Sequence, residues 1–330
     1  MASTRARPTP KRGGYLHALA HRTEGLAPLR TAVVHPVNTE SLLGAIEAAR
    51  AKLITPVLVG PEARIRSAAQ TANVNIANYE MVTTQHSHAA AAAAVALARD
   101  GLVEALMKGN LHTDEFMAAI LREEKLHTAR RMSHVFVVEA RAYPRPLLIT
   151  DAAINIYPTL EDKVDIVQNA IELAHTLGLR VPKVAILSAL ETISPKIRST
   201  LDAAVLCKMA ERDQITGGTL DGPLAFDTAV SADAARTKGI RSVVAGQADV
   251  FLVPDLEAGN ILVKQLEYLA NASIAGIVLG ARVPIVLTSR ADPVSARLKS
   301  CRIALLMARC PAPPRPGHTP KLLAFSSGVR

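Results

Sequence analysis

Short, predominantly apolar runs, many of them β-branched, recur at 31–34, 56–59, 103–107, 135–138, 147–150, 184–187, 250–253, 274–279 and 285–287. Runs without polar alternation suit strands that are buried on both faces of a sheet. Between them the apolar positions fall at helical spacing, at 40–52, 87–99, 160–177, 195–211, 256–271 and 293–307. Strands spaced by single helices predict βαβ units around a parallel sheet, so the fold class is α/β, doubly wound. The alanine run 89–94 continues into Val95 and Leu97 and reads as packed helix. No repeat of fixed period interrupts this order. The last twenty residues hold Pro311, Pro313, Pro314, Pro316 and Pro320, which cannot continue a helix, so 309–330 is read as a Pro-rich surface tail.

A chain of 330 residues has room for two domains. Aromatics are 3% with no Trp, so the cores must be aliphatic, and the stacking platforms of single-strand nucleic-acid binders are not expected. The net charge of +9 is carried at the ends: +5 on residues 1–30 and +4 on 309–330. A basic, disordered tail at 1–30 therefore accounts for the charge better than a nucleic-acid-binding face. Cys207, Cys301 and Cys310 form neither a disulfide framework nor a zinc pattern, which fits a reducing, cytoplasmic setting. No apolar run approaches the ~18 residues of a membrane span. Walker A, G-x-G-x-x-G and HExxH sequences are all absent, which removes the usual nucleotide cradles and a common zinc site.

Four polar runs follow predicted strands. In Leu287-Thr288-Ser289-Arg290-Ala291-Asp292-Pro293 a buried strand ends where a helix is about to begin. Backbone N–H groups and Arg290 suit an anion there, and Ser289 could hydrogen-bond a phosphate or thioester oxygen. Asp292 has two readings, a general base for a thiol or the cap of the helix at Pro293. In Val253-Pro254-Asp255-Leu256-Glu257-Ala258-Gly259-Asn260, Asp255 and Glu257 are either first-turn acids or ligand contacts. Gly259 would allow close approach, and Asn260 would offer its amide. Met107-Lys108-Gly109-Asn110-Leu111-His112-Thr113-Asp114 offers Lys108 to a phosphate and His112 as a hydrogen-bond partner. The run Thr216-Gly217-Gly218-Thr219-Leu220-Asp221-Gly222-Pro223 is expected to be a turn whose Asp221 and Gly222 form a wall for a bulky cofactor. Four loops at strand carboxyl ends predict one cleft between two domains.

Together these runs resemble the phosphate acetyltransferase/phosphate butyryltransferase family, joined by Ser133-His134-Val135-Phe136, Thr150-Asp151-Ala152-Ala153-Ile154-Asn155 and Val244-Ala245-Gly246. The Ser-Arg-Ala-Asp form is more similar to the butyryl branch. The resemblance implies a fold like that of isocitrate and isopropylmalate dehydrogenases. Its first α/β domain would hold 31–148 plus 275–308, with a second at 149–274 inserted into it. It also implies a homodimer acting on acyl-CoA and inorganic phosphate, reversibly forming acyl phosphate and coenzyme A, with acetyl or butyryl as the acyl group. No metal or bound cofactor is implied, and coenzyme A is a substrate. The candidate residues are then Ser289, Arg290 and Asp292 for catalysis, with Lys108, Gly109, His112, Asp221, Gly222, Asp255, Gly259 and Asn260 for substrate. Two departures stand out. The acid of the acetyl branch falls on Ala296, which leaves Asp292 as the substitute. Relatives carry Leu-Arg-Thr where this chain has Leu126-His127-Thr128, with Arg130 or Arg131 as the replacement cation. Competing readings are a metal- and NAD-dependent decarboxylating dehydrogenase on the same fold and a non-catalytic binding protein that works through its basic tails.

Overall fold

The computed structural model describes residues 14–290 and 292–310. The chain opens with α1 (Tyr15–Thr23), β1 (Leu29–Val34), α2 (Thr39–Arg50), β2 (Ile54–Gly60), α3 (Glu62–Thr71), β3 (Glu80–Thr83), α4 (Ser87–Arg99), β4 (Ala105–Lys108) and α5 (Thr113–Leu121). The middle of the chain supplies β5 (Ser133–Glu139), β6 (Leu147–Thr150), α6 (Leu160–Thr176), β7 (Lys183–Leu187), α7 (Arg198–Glu211), β8 (Thr219–Leu224), α8 (Phe226–Val230) and α9 (Ala232–Thr237). It ends with β9 (Val250–Leu252), α10 (Leu256–Leu269), β10 (Ser273–Leu279), β11 (Ile285–Val286) and α11 (Val294–Arg309). Local chemistry sets several starts: Asn38 caps α2 through Ser41 N, and Thr159 and Asp162 form a capping box at α6.

All eleven strands join one sheet in the order β3-β2-β1-β4-β11-β10-β5-β6-β9-β7-β8. It is two doubly wound parallel halves, not the wholly parallel sheet expected from the strand spacing. The pairs β11·β10, β10·β5 and β5·β6 are antiparallel. The connections 280–284 and 140–146 are too short to carry a crossover helix, so each must turn back as a hairpin. These reversals leave β1, β2, β4 and β11 pointing their carboxyl ends to one edge of the sheet, and β6, β7 and β9 to the opposite edge. The four polar loops therefore do not share an edge.

Alternate residues of each strand feed different cores. One face is continuous across both halves, from Leu58 and Val33 through Val135 and Val137 to Val184 and Val250. The other face is split into a cluster under α4 and α5 (Val34, Leu106, Phe116, Leu287) and one under α10 (Phe136, Ile149, Phe251, Val263). Between these two clusters, on that face, lie His134 and Gly276.

The basic-tail expectation for 1–30 is overturned from residue 14 onward. Leu16 and Leu19 of α1 are fully buried, and the α1 N-terminus donates from Tyr15 N and Leu16 N to the Glu139 carboxylate at 2.8 and 3.2 Å. Three of the charges assigned to tails are engaged by the fold: Arg22 with Thr176 O, Arg30 with Glu80, and Arg309 with Glu104. The Pro-rich stretch 311–330 and residues 1–13 lie outside the described residues. The run 216–223, expected to be a turn, gives way from Thr219 onward to the strand β8 (Thr219–Leu224). It is an edge strand, where Pro223 need not donate to a ladder. The other edge strand, β3, is short and half-exposed, and so lacked the apolar run used to find its fellows.

Candidate active site

At the carboxyl edge of β4 and β11, three cations converge on one turn. Lys108 ends β4 and is 1% exposed, with Nζ donating to Thr288 O at 3.3 Å. Arg297, in the first turn of α11, is fully buried, and its guanidinium donates to Lys108 O (3.2 Å), Thr288 Oγ1 (2.8 Å) and Ser289 O (3.0 Å). It ties the ends of both strands together beneath the Ser289 turn. Gly44 on α2 makes room for it, since a Cβ there would stand 2.4 Å from Arg297 Cδ. Arg290 is exposed at the rim, and among the described residues no ion pair or hydrogen bond engages it. Burial, then Arg297 and then Arg290, push the Lys108 ammonium down to about 8.

Asp292 is the carboxylate of this site. It is 2% exposed, and Oδ2 accepts from Ser289 N at 2.7 Å. The cap reading fails: Pro293 stands at the N-cap of α11 and no side chain caps that helix. The side chain turns back onto its own loop instead. Oδ1 has no hydrogen-bond partner among the described residues and lies 3.8 Å from Lys264 Nζ of α10. Burial holds the Asp292 carboxyl above the ordinary carboxylate range, opposed by the Ser289 N–H and Lys264.

Gly109 belongs here as backbone. A Cβ on it would meet Val34 O at 2.3 Å, so only glycine lets β4 leave beside β1. His112 is exposed at the α5 N-cap without a side-chain cap bond. The other candidates sit elsewhere. Asp255 caps α10, accepting from Ala258 N at 2.8 Å. A Cβ on Gly259 would stand 2.8 Å from Ala152 Cβ, and Asn260 Nδ2 donates to Ala152 O at 3.2 Å, so both dock α10 onto the 151–155 loop. Asp221 and Gly222 lie on β8, six strands from β11, about 30 Å away at ~4.8 Å per strand. Gly222 permits close contact with Ile186 and Ala203, not with a cofactor wall at this site.

The family described as phosphate acetyl/butaryl transferase matches residues 79–305. The chain is 59% identical over 283 residues to a phosphate acetyltransferase of Rhizobium meliloti, covering 86% of this chain and 90% of that one. It is 41% identical over 282 residues to a phosphate butyryltransferase of Clostridium acetobutylicum, covering 85% and 94%. A branched-chain phosphotransacylase from Enterococcus faecalis superposes with a TM-score of 0.73 at 31% identity, covering 84% and 99%. The chain belongs to the phosphate acetyl/butyryl transferase family.

As a member of that family the chain is an acyltransferase, and the dehydrogenase alternative is not favoured. Neither proposed replacement for the family arginine at His127 stands free. Arg130 donates to Asn169 and Glu172, and Arg131 pairs with Asp162 at 3.1 Å and donates from its backbone to Asp165. His127 itself bonds Leu121 O at 3.1 Å. His134 of the family-like Ser-His-Val-Phe run is fully buried, pushed down to about 4 by burial, and packs edge-on to Phe136. Arg297 is the residue of this candidate site that the sequence reading left out. The signal was present, because 297, 301, 304 and 305 form the buried stripe of α11.

Proposed function

We propose that the Ser289–Asp292 turn is where acyl transfer between coenzyme A and phosphate takes place. The observation that carries this reading is the buried positive excess of Lys108 and Arg297 directly beneath a turn bearing Arg290 and a half-satisfied carboxylate. In the direction of acyl-CoA synthesis, Asp292 Oδ1 takes the proton from the coenzyme A thiol. The thiolate forms a C–S bond to the acyl phosphate carbonyl, and the carbonyl electron pair moves to oxygen. The tetrahedral centre then collapses, the C–O bond to phosphate breaks, and inorganic phosphate leaves. Arg290 stabilises the oxyanion and the thiolate, and Ser289 orients the carbonyl or phosphate. Lys108 and Arg297, too buried for broad contact, supply a fixed positive field that favours the phosphate dianion.

The halves 31–148 with 275–308 and 149–274 are proposed as the bodies flanking the substrates. Acetyl is the proposed acyl group, supported by the 59% identity to the Rhizobium meliloti acetyltransferase against 41% to the butyryl enzyme. A homodimer is proposed on the exposed apolar side chains Ile261, Tyr268 and Leu269 of α10. A cytoplasmic setting accords with three free cysteines. Among the described residues no helix is long and apolar enough to cross a membrane.

The test is release of free thiol from acetyl-, propionyl- and butyryl-CoA, expected when phosphate or arsenate is present and absent without it. Thiol release that ignores phosphate would make the protein a thioesterase. A second expectation concerns pH. Lys108 is depressed in the fold, so its charge is present below about 8 and lost as pH rises through that value. Phosphate affinity should therefore weaken above that pH, read as a rise in KM for phosphate, and Lys108→Met should remove the dependence.

A further inference from the structure

The carboxylate proposed as base is not served by its own half of the molecule alone. Its Oδ2 is fixed by Ser289 N, but among the described residues no group of the β11–α11 turn bonds Oδ1. The nearest charge comes from the opposite half, where Lys264 lies in α10, the helix that covers the second apolar cluster. Lys264 is itself held in place. Its Nζ donates to Glu267 Oε2 at 2.7 Å and lies 5.6 Å from the Tyr268 ring centroid. An ammonium pinned between two carboxylates, one of them 2% exposed, is a poor solubilising residue and a good electrostatic one.

We propose that Lys264 is the positioning residue of Asp292: from across the seam it keeps the carboxylate ionised and its open oxygen available to the thiol, while Glu267 sets how much of that charge Asp292 receives. This rests on the reading of Asp292 as base. The charged groups facing Asp292 are Lys264 and Glu267 from α10, Arg297 from α11 and Lys108 from β4. Arg297 and Lys108 are anchored by hydrogen bonds to the strand ends, so Lys264 and Glu267 are the pair whose removal changes the field without unlacing the turn. Burial already favours the neutral acid, so removing a cation 3.8 Å away must make ionisation harder. Removing Glu267 must make it easier, both by deleting a negative charge and by releasing Lys264.

The experiment is the pH profile of kcat/KM for acetyl phosphate and coenzyme A in the full chain. An ionised base gives a limb on which the rate falls as pH is lowered. Lys264→Met should move that limb to higher pH by about one unit, a part-exposed cation being worth the low end of such effects. Lys264→Arg should return it close to wild type, and Glu267→Gln should move it to lower pH. Opposite displacements by two neighbours on one helix are not what a packing role produces. If Lys264→Met folds poorly, the Glu267→Gln displacement still decides the proposal. An unmoved limb in both variants, or a rise in KM for acetyl phosphate at constant limb position, overturns it and makes Lys264 inert or a substrate contact. Asp292→Asn separates this from failure of the underlying reading. If the limb in Asp292→Asn gives way to the thiol's own ionisation near ~8.5 but stays fixed in the Lys264 and Glu267 variants, the base stands and Lys264 falls. If Asp292→Asn keeps both its rate and its limb, both ideas fall together.

Discussion

Replacing Asp292 with asparagine is expected to slow turnover by about 10²–10⁴-fold at neutral pH while leaving the protein folded. Asparagine keeps an oxygen that can accept from Ser289 N, so the bond that shapes the turn at 2.7 Å survives. What it loses is the capacity to take a proton. The α11 N-cap is not involved, because no side chain caps that helix, so the helix-start explanation for a defect is closed. Stability should move the other way. Burial raises the Asp292 carboxyl, so the fold is more stable with the neutral acid, and that advantage is lost as pH rises through the raised value. At neutral pH the asparagine variant should melt no lower than wild type, and thermal denaturation checks this. Activity should recover as pH approaches the thiol's own ionisation near ~8.5, where no base is required. Unchanged turnover at neutral pH would remove Asp292 from the mechanism.

Arg290→Ala is expected to cut kcat by at least ~10², because it deletes a preorganised charge where the oxyanion develops. The residue is exposed at the rim, so the loss should come without a change in melting temperature. Lys108 and Arg297 cannot compensate. Both are buried and committed to the backbone of the strand ends and to Thr288. Arg290→Lys should recover part of the rate, since a point charge cannot copy the bidentate fork of guanidinium. A wild-type rate in Arg290→Ala would assign the oxyanion to other donors.

The chain's own pattern determined the α/β class, because short, β-branched apolar runs such as 184–187 and 285–287, spaced by helical patterns, suit strands covered on both faces. It also marked the Ser289–Asp292 turn, where a buried strand gives way to a helix across polar residues. It gave a weaker hold on residues whose surroundings are non-local. Arg297 reads as one more surface arginine until α2 is seen to yield space at Gly44 and two strand ends supply its acceptors. Asp292 reads as either a helix cap or a thiol base until its carboxylate is seen turned back to Ser289. Asp255, Gly259 and Asn260 form a convincing ligand loop on paper, but in the tertiary structure Asp255 caps α10 while Gly259 and Asn260 seat that helix against Ala152. Strand direction decided the rest. Short hairpin connections reverse the chain between the halves, sending the carboxyl ends of β4 and β11 to one edge of the sheet and those of β7 and β9 to the other. Which polar loops share a site depends on that reversal and on packing across the seam, neither of which is a property of any one segment.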